Sequence, residues 1–286
     1  MFYCDRGGPS GTLLLNAVST FTGDTLVTRG TLTLSNTAAL ASSPNIIVYG
    51  PANQLNNAGG TFDASGTLYP AVWTLGSGQT LSGAGTVQGN VSLTGTVAPS
   101  DPTATNTIGT LSFVNNDDVS LSGTTLMEIS KDGGIANDVI DNQSGIGTIT
   151  YGGTLIVTLT GTNTLAVDDT FDLFNAFGAL QGSFSTIILP AGYGWDTGQL
   201  TVDGTIKVTA VGAMPTLGSI TPTGPTSFQL LGTGTSNALY NVYGADSLTP
   251  PVVWDVIGTT TASGLGVLDF TDTQATNAEG YYRFGY

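Results

Sequence analysis

The 286-residue sequence has no histidine, a single cysteine and only five basic residues, Arg6, Arg29, Lys131, Lys207 and Arg283. Without histidine, any chemistry that needs imidazole as base, acid or metal ligand is excluded. With Cys4 alone, no disulfide can form within the chain, and a bridge would have to join two chains. Twenty acidic residues against the five bases give a net charge of −15. A surplus of that sign repels phosphate backbones and anionic lipid, so neither nucleic acid nor direct membrane insertion is expected. No run approaches the roughly 18 apolar residues of a membrane span. Met1 to Ser10 lacks the charged-then-apolar plan of a signal peptide, so an export signal is expected outside this sequence.

What the chain does contain is glycine, 41 residues of it, with 40% hydrophobic and only 9% charged residues. That hydrophobic share is enough to fill a core, so the composition is not one of disorder. The acid is dispersed as single Asp residues beside Gly, Asn or Thr, which fits solvated turns rather than an acidic tail. A Gly-Thr step followed by an aliphatic residue recurs at Gly11-Thr12-Leu13, Gly30-Thr31-Leu32, Gly66-Thr67-Leu68, Gly85-Thr86-Val87, Gly95-Thr96-Val97, Gly109-Thr110-Leu111, Gly147-Thr148-Ile149, Gly153-Thr154-Leu155 and Gly204-Thr205-Ile206. Glycine allows the corner, and Thr with a β-branched or aliphatic partner suits a half-buried strand. Within these segments apolar residues alternate, as in Leu155, Val157 and Leu159, which buries one face. The outward positions are mainly Thr and Ser.

Many short strands fit a sandwich or a solenoid, and the repeat favours the solenoid, because stacked coils tolerate turns of unequal length while inward positions stay in register. At about 20 residues per coil, some ten coils rising about 4.8 Å each would make a stack near 50 Å long. The texture changes at Gly212-Ala213-Met214-Pro215-Thr216. The expected organisation is therefore an N-terminal extension over 1–10, a β-solenoid over 11–211, a linker over 212–218 and a small immunoglobulin-like β-sandwich over 219–286. In the sandwich, strands are expected at Ser227 to Leu231, Leu239 to Ala245, Val252 to Thr260, Val267 to Thr271 and Tyr281 to Tyr286, with Phe228, Tyr240, Trp254 and Phe270 facing inward.

The stretch from Gly11-Thr12-Leu13 through Phe21-Thr22-Gly23 to Gly30-Thr31-Leu32 resembles the autotransporter-associated β-strand repeat of bacterial surface proteins, an aromatic-Thr-Gly core between two Gly-Thr-Leu strands. Ala166 to Phe174, continuing through Gly182-Ser183-Phe184 and Trp195-Asp196 to Asp203-Gly204-Thr205, is similar to the segment that closes such solenoids. The tail, with Tyr282-Arg283-Phe284, resembles the small β-sandwich that follows these repeats in some surface proteins. The resemblance implies an all-β chain with a right-handed parallel β-helix, exported and either displayed on the cell surface or released.

Sites are few. A polysaccharide lyase or glycosidase on a β-helix needs a carboxylate pair, or a metal with a basic residue beside it, and five scattered bases do not readily supply that. No catalytic residues and no resident cofactor are expected. Asp117, Asp118, Asp132, Asp138 and Asp141 stand in Asp-, Asn- and Gly-rich loops and are the candidate calcium ligands, since calcium takes six to eight oxygens. They follow neither the nonapeptide nor the EF-hand spacing, and Asx turns account for the same residues. Tyr69, Trp73 and Tyr193 are the candidate glycan contacts, as aromatic faces that stack on sugar rings. The function expected on these grounds is a non-enzymatic structural protein of the cell surface or extracellular matrix. Self-association into a filament is its expected partnership, and an adhesin or glycan-binding module the alternative.

Overall fold

A computed structural model describes residues 2–4, 11–35, 40–51, 59–66, 72–99, 108–114, 118–142, 146–275 and 280–285, with residues 2–4 as backbone only. Every regular element among the described residues is a strand. The chain divides into two compact units. The first takes residues 1–163, 171–188 and 198–206; the second takes 164–170, 189–197 and 207–286. The division differs from the boundary expected at 211, because two earlier segments and residues 207–211 belong with the C-terminal unit.

The first unit is a three-faced parallel β-solenoid. Its first face stacks Phe2–Cys4, Thr25–Val27, Asn45–Val48, Thr80–Ser82, Thr96–Ala98, Thr124–Ser130, Thr154–Thr160 and Thr186–Ile188. The second stacks Thr12–Leu15, Gly30–Leu34, Gly60–Asp63, Thr86–Gln88, Thr110–Val114, Val139–Asn142 and Phe174–Ala176. The third stacks Trp73–Leu75, Val91–Leu93, Val119–Leu121, Ile149–Tyr151 and Leu180–Gly182. Phe2–Cys4 pairs in parallel with Thr25–Val27, so the segment expected as an extension contributes a strand to the stack. Eight strands on the longest face leave seven spacings, or about 34 Å at about 4.8 Å each, in place of the ten coils expected. Coil length varies widely: Thr80 faces Thr96, sixteen residues on, whereas Ile46 faces Leu81, thirty-five residues on.

The core is built of inward columns, one residue per coil. On the second face Leu32, Phe62, Val87 and Phe113 stack in register and are fully buried or nearly so. On the third, Trp73, Val91, Val119 and Ile149 form one column and Leu75, Leu93, Leu121 and Tyr151 another. On the first, Ile46, Leu81, Val97, Thr125 and Leu155 continue to Ile187. The Gly-Thr steps at 11, 30, 85 and 109 open second-face strands, and those at 95 and 153 open first-face strands. Gly147-Thr148 leads into the third face and Gly204 precedes Thr205–Val211, while Thr67 and Leu68 lie outside the described residues. Gly60-Thr61-Phe62 and Gly123-Thr124-Thr125 play the same part with a non-aliphatic third residue. Close approach explains the glycines: a Cβ on Gly123 would overlap the Gly95 carbonyl oxygen, and one on Gly153 the Gly123 carbonyl oxygen. Those carbonyls accept the N–H of Thr124 and Thr154 at 3.0 and 2.9 Å, so the corners stack too tightly for a side chain.

The second unit holds two three-stranded antiparallel sheets. One runs Thr216–Gly224, Ser227–Thr233 and Val267–Asp272; the other runs Asp255–Thr261, Leu239–Ala245 and Tyr281–Gly285. Thr216–Gly224 is a strand that the sequence pattern placed partly in a linker. The core is Leu230, Ala238, Tyr240, Val242, Ala262, Leu268 and Phe284, with Leu217, Phe270 and Tyr282 packed against it. Trp254, expected to face inward, instead lies before its strand with the Arg283 guanidinium 4.5 Å from its ring centroid. Tyr243 receives the same guanidinium at 4.8 Å. Elsewhere in this unit Tyr193–Asp196 pairs antiparallel with residues up to Val211, with a bulge between Gly194 and Trp195.

Candidate functional site

The solenoid's outward columns mirror its inward ones. Thr80, Thr96, Thr124, Thr154 and Thr186 stand one above another on the first face. On the second face Thr12, Thr31, Thr61, Thr86 and Ser112 continue into Asp141 and Asn175. On the third the column is Thr74, Ser92, Ser120, Thr150 and Gln181. Short hydroxyls in register follow from the alternation of each strand combined with parallel pairing, and they give each face one largely polar outward column with little charge.

Three of the five Asp residues expected as calcium ligands, Asp118, Asp132 and Asp138, are held by backbone N–H donors distant in sequence. Asp118 Oδ1 accepts the Thr148 N–H at 2.9 Å and its hydroxyl at 2.8 Å, while the Asp118 N–H donates to Asn90 Oδ1 at 2.8 Å. Asn90, Asp118 and Thr148 each immediately precede a third-face strand, so one side chain per coil caps the start of the next. Asp132 accepts the N–H groups of Thr162 and Asn163 at 2.9 and 2.8 Å, and these bonds hold its carboxyl below the usual range. Asp138 is wholly buried, Oδ1 accepting the Gly109 N–H and Oδ2 the Glu128 N–H, both at 2.8 Å. Burial pushes its carboxyl up to about 7, against the pull of those two donors, and the nearby Glu128 carboxylate adds to the rise. Asp141 occupies the outward column between Ser112 and Asn175. Asp117 lies outside the described residues. Among the described residues, no three Asp, Glu, Cys or His side chains form a group that could hold a metal ion.

The aromatic candidates are placed inside the protein. Trp73 is 6% exposed and packs edge-on against Phe62 at 4.8 Å. Tyr193 is 8% exposed, its ring edge-on to Trp195 and its hydroxyl accepting the Leu165 N–H at 3.3 Å. Neither offers a flat face to a sugar, which corrects the sequence expectation: on a strand with an alternating pattern, a large apolar ring goes to the buried side. Tyr69 lies outside the described residues. Tyr151 joins Phe174 and Phe184 in a buried aromatic cluster, with centroid distances of 4.9 and 4.8 Å, and donates its hydroxyl proton to the Leu200 carbonyl at 2.8 Å. Burial, with the charges of Asp172 and Asp203 nearby, raises the Tyr151 phenol far above its ordinary value.

The concave site that the sequence pattern did not reveal lies in the second unit. A cleft of about 220 Å³ is lined by Asp246, Asp255 and Asp272 together with Phe228, Tyr281 and Tyr282. The Tyr282 hydroxyl donates to Asp272 Oδ2 at 2.9 Å, and the Gln274 N–H to Asp272 Oδ1 at 2.9 Å. Burial first, and then the bond and charge of Asp272, push the Tyr282 phenol up to about 12. Phe228 and Tyr282 stand 6.4 Å apart at 43°. Those six residues come from four different strands, with Asp246 in the loop after a fifth, which is why no local motif announces them.

Compared with known protein families, with curated proteins and with solved structures, the chain matches none.

Proposed function

We infer that the protein is a non-enzymatic structural element of the bacterial cell surface or extracellular matrix, a stiff β-solenoid that holds what it carries at a distance and stacks on further copies into filaments. The observation that carries this reading is the in-register stack itself. The inward columns are apolar at nearly every coil, the outward columns that open each strand are mostly short and hydroxylated, and the backbone bonds of one coil are completed by the next. Inter-strand hydrogen bonds directed along the stack resist extension, and a surface of packed Thr and Ser gives proteases few flexible entry points. Asp118, Asp132 and Asp138 support the same reading, because their carboxylates are engaged in joining coils. The burial of Trp73 and Tyr193 takes support from the glycan-binding alternative.

The test is limited proteolysis with a protease of broad specificity, followed by electron microscopy of the purified chain. A resistant core spanning the solenoid and end-to-end association at high protein concentration are the expected results. Rapid cleavage within the coils would overturn the structural reading, and discrete monomers at every concentration would overturn the filament.

A further inference from the structure

We infer that the first face of the solenoid is a lateral contact surface, on which a second copy of the chain packs through an aliphatic ridge. The inference rests on the filament reading and extends it from single stacks to paired ones. The last three strands of this face set apolar residues side by side: Leu126-Met127, Leu155-Ile156-Val157 and Ile187-Ile188. Met127, Leu155 and Val157 are buried in the core. Leu126, Ile156 and Ile188 therefore point outward, and the register sets them one above another. Leu126 is 37% exposed and Ile188 45%, with Ile156 half-buried between them. Strands of a parallel sheet carry continuous apolar runs where both of their sides are covered. Asn45–Val48, lower on the same face, has such a run, and its outward Ile47 is buried within the chain. The three later strands have the same kind of run with the outer side open.

Charge decides the occupant. Among the described residues of the eight first-face strands, Glu128 is the one charged side chain, in a chain of net charge −15. Copies of so acidic a chain repel one another, and they approach most closely where two nearly uncharged faces meet. The second face carries Asp63 and Asp141 on its strands, and its exposed Leu14 is followed in register by Thr33. The third face has no charged residue on its strands, but its outward column of Thr, Ser and Gln offers no aliphatic surface. A basic partner finds no row of carboxylates on the first face, whereas a second copy of the same face matches it in chemistry and spacing.

Area sets the strength. From Thr80–Ser82 to Thr186–Ile188 the face runs about 19 Å along the stack and at most about 23 Å across, roughly 400 Å² against the roughly 800 Å² per partner of a stable interface. One pair of copies therefore holds weakly, and the contacts add along two filaments lying side by side. Salt at about 0.1 M screens the repulsion beyond about 10 Å and leaves the apolar contact, so pairing strengthens as salt is added.

Electron microscopy of the full chain at low salt and at about 0.3 M salt tests this. Wild-type filaments are expected in side-by-side pairs, more of them at the higher salt. Leu126→Thr combined with Ile156→Thr keeps strand-forming residues at both positions, and Ile156→Asp adds a charge to the ridge. Both variants should form filaments of wild-type length and raise the protein concentration at which pairs appear by about tenfold or more. Ser92→Asp, on the third face, should pair as the wild type does. If Ile156→Asp changes the circular dichroism spectrum, the double Thr variant alone decides. Single wild-type filaments at every concentration and salt, or undiminished pairing in the double Thr variant, would overturn the inference and leave the filament standing. Absence of filaments altogether would overturn the filament reading and this inference with it.

Discussion

Asp138 makes the solenoid's stability depend on pH in a direction opposite to that of ordinary surface carboxylates. In the unfolded chain its carboxyl loses its proton around the ordinary value of 3.8, and in the folded chain only at about 7. Between those values the unfolded state binds fewer protons, so stability falls as pH rises through the window and the penalty is complete above about 7. At 1.36 kcal/mol per pH unit the ceiling is about 4 kcal/mol, of which roughly 2 to 3 kcal/mol falls between pH 5 and pH 8. Asp138→Asn removes the titration. It retains one acceptor for one of the Gly109 and Glu128 N–H groups but turns an amide N–H toward the other, a loss of about 1–3 kcal/mol. Urea titrations followed by far-ultraviolet circular dichroism at pH 5, 6, 7 and 8 test this. The wild-type midpoint should fall relative to the variant's as pH rises, by about 1 M over the range if the urea slope is about 2–3 kcal/mol per molar. The two should therefore converge at high pH. Parallel curves would refute the reasoning, because they would mean that Asp138 is as readily ionised folded as unfolded.

Asp132 should show the reverse sign: its carboxyl is held low by the Thr162 and Asn163 N–H groups, so Asp132→Ala should remove part of the stability that wild-type protein loses on acidification below the ordinary carboxylate range, measurable as a shallower acid unfolding curve. Phe62→Ala, at the centre of a fully buried column and against Trp73, should destabilise by about 3–5 kcal/mol in the same urea assay, with a change in Trp73 fluorescence. Gly60→Ala should lower stability by about 1–3 kcal/mol, because its Cβ would overlap the Val27 carbonyl oxygen of the previous coil. Gly78→Ala, where a Cβ meets nothing within 4 Å, is the control and should be close to neutral.

The fold class was legible because it is written locally. Gly-Thr steps followed by alternating apolar residues describe a strand with one buried face, and that pattern needs no knowledge of a neighbour. Gly60 and Gly123 escaped the motif only because Phe62 and Thr125 took the place of the aliphatic residue, although both inward positions are buried. The sequence by itself thus determined that strands form, which face of each is buried, and that the outer faces are Ser- and Thr-rich. The tertiary structure alone decided which coil lies on which. Pairing separations run from sixteen residues at Thr80 and Thr96 to thirty-five at Ile46 and Leu81, and a loop inserted between two strands leaves their alternation unchanged. The same limit applies to the polar residues. Asp118 and Asp132 sit in Asx-like sequences that suggest local turns, yet their acceptors serve N–H groups thirty residues away in the next coil. Trp73 looked like an available ring until Phe62 covered it, and the acidic cleft needed two sheets to bring Asp246, Asp255 and Asp272 onto one concavity. Alternation and glycine corners are properties of a few adjacent residues, whereas register, burial of a particular ring and convergence of carboxylates depend on chain segments far apart in sequence, and only packing brings those together.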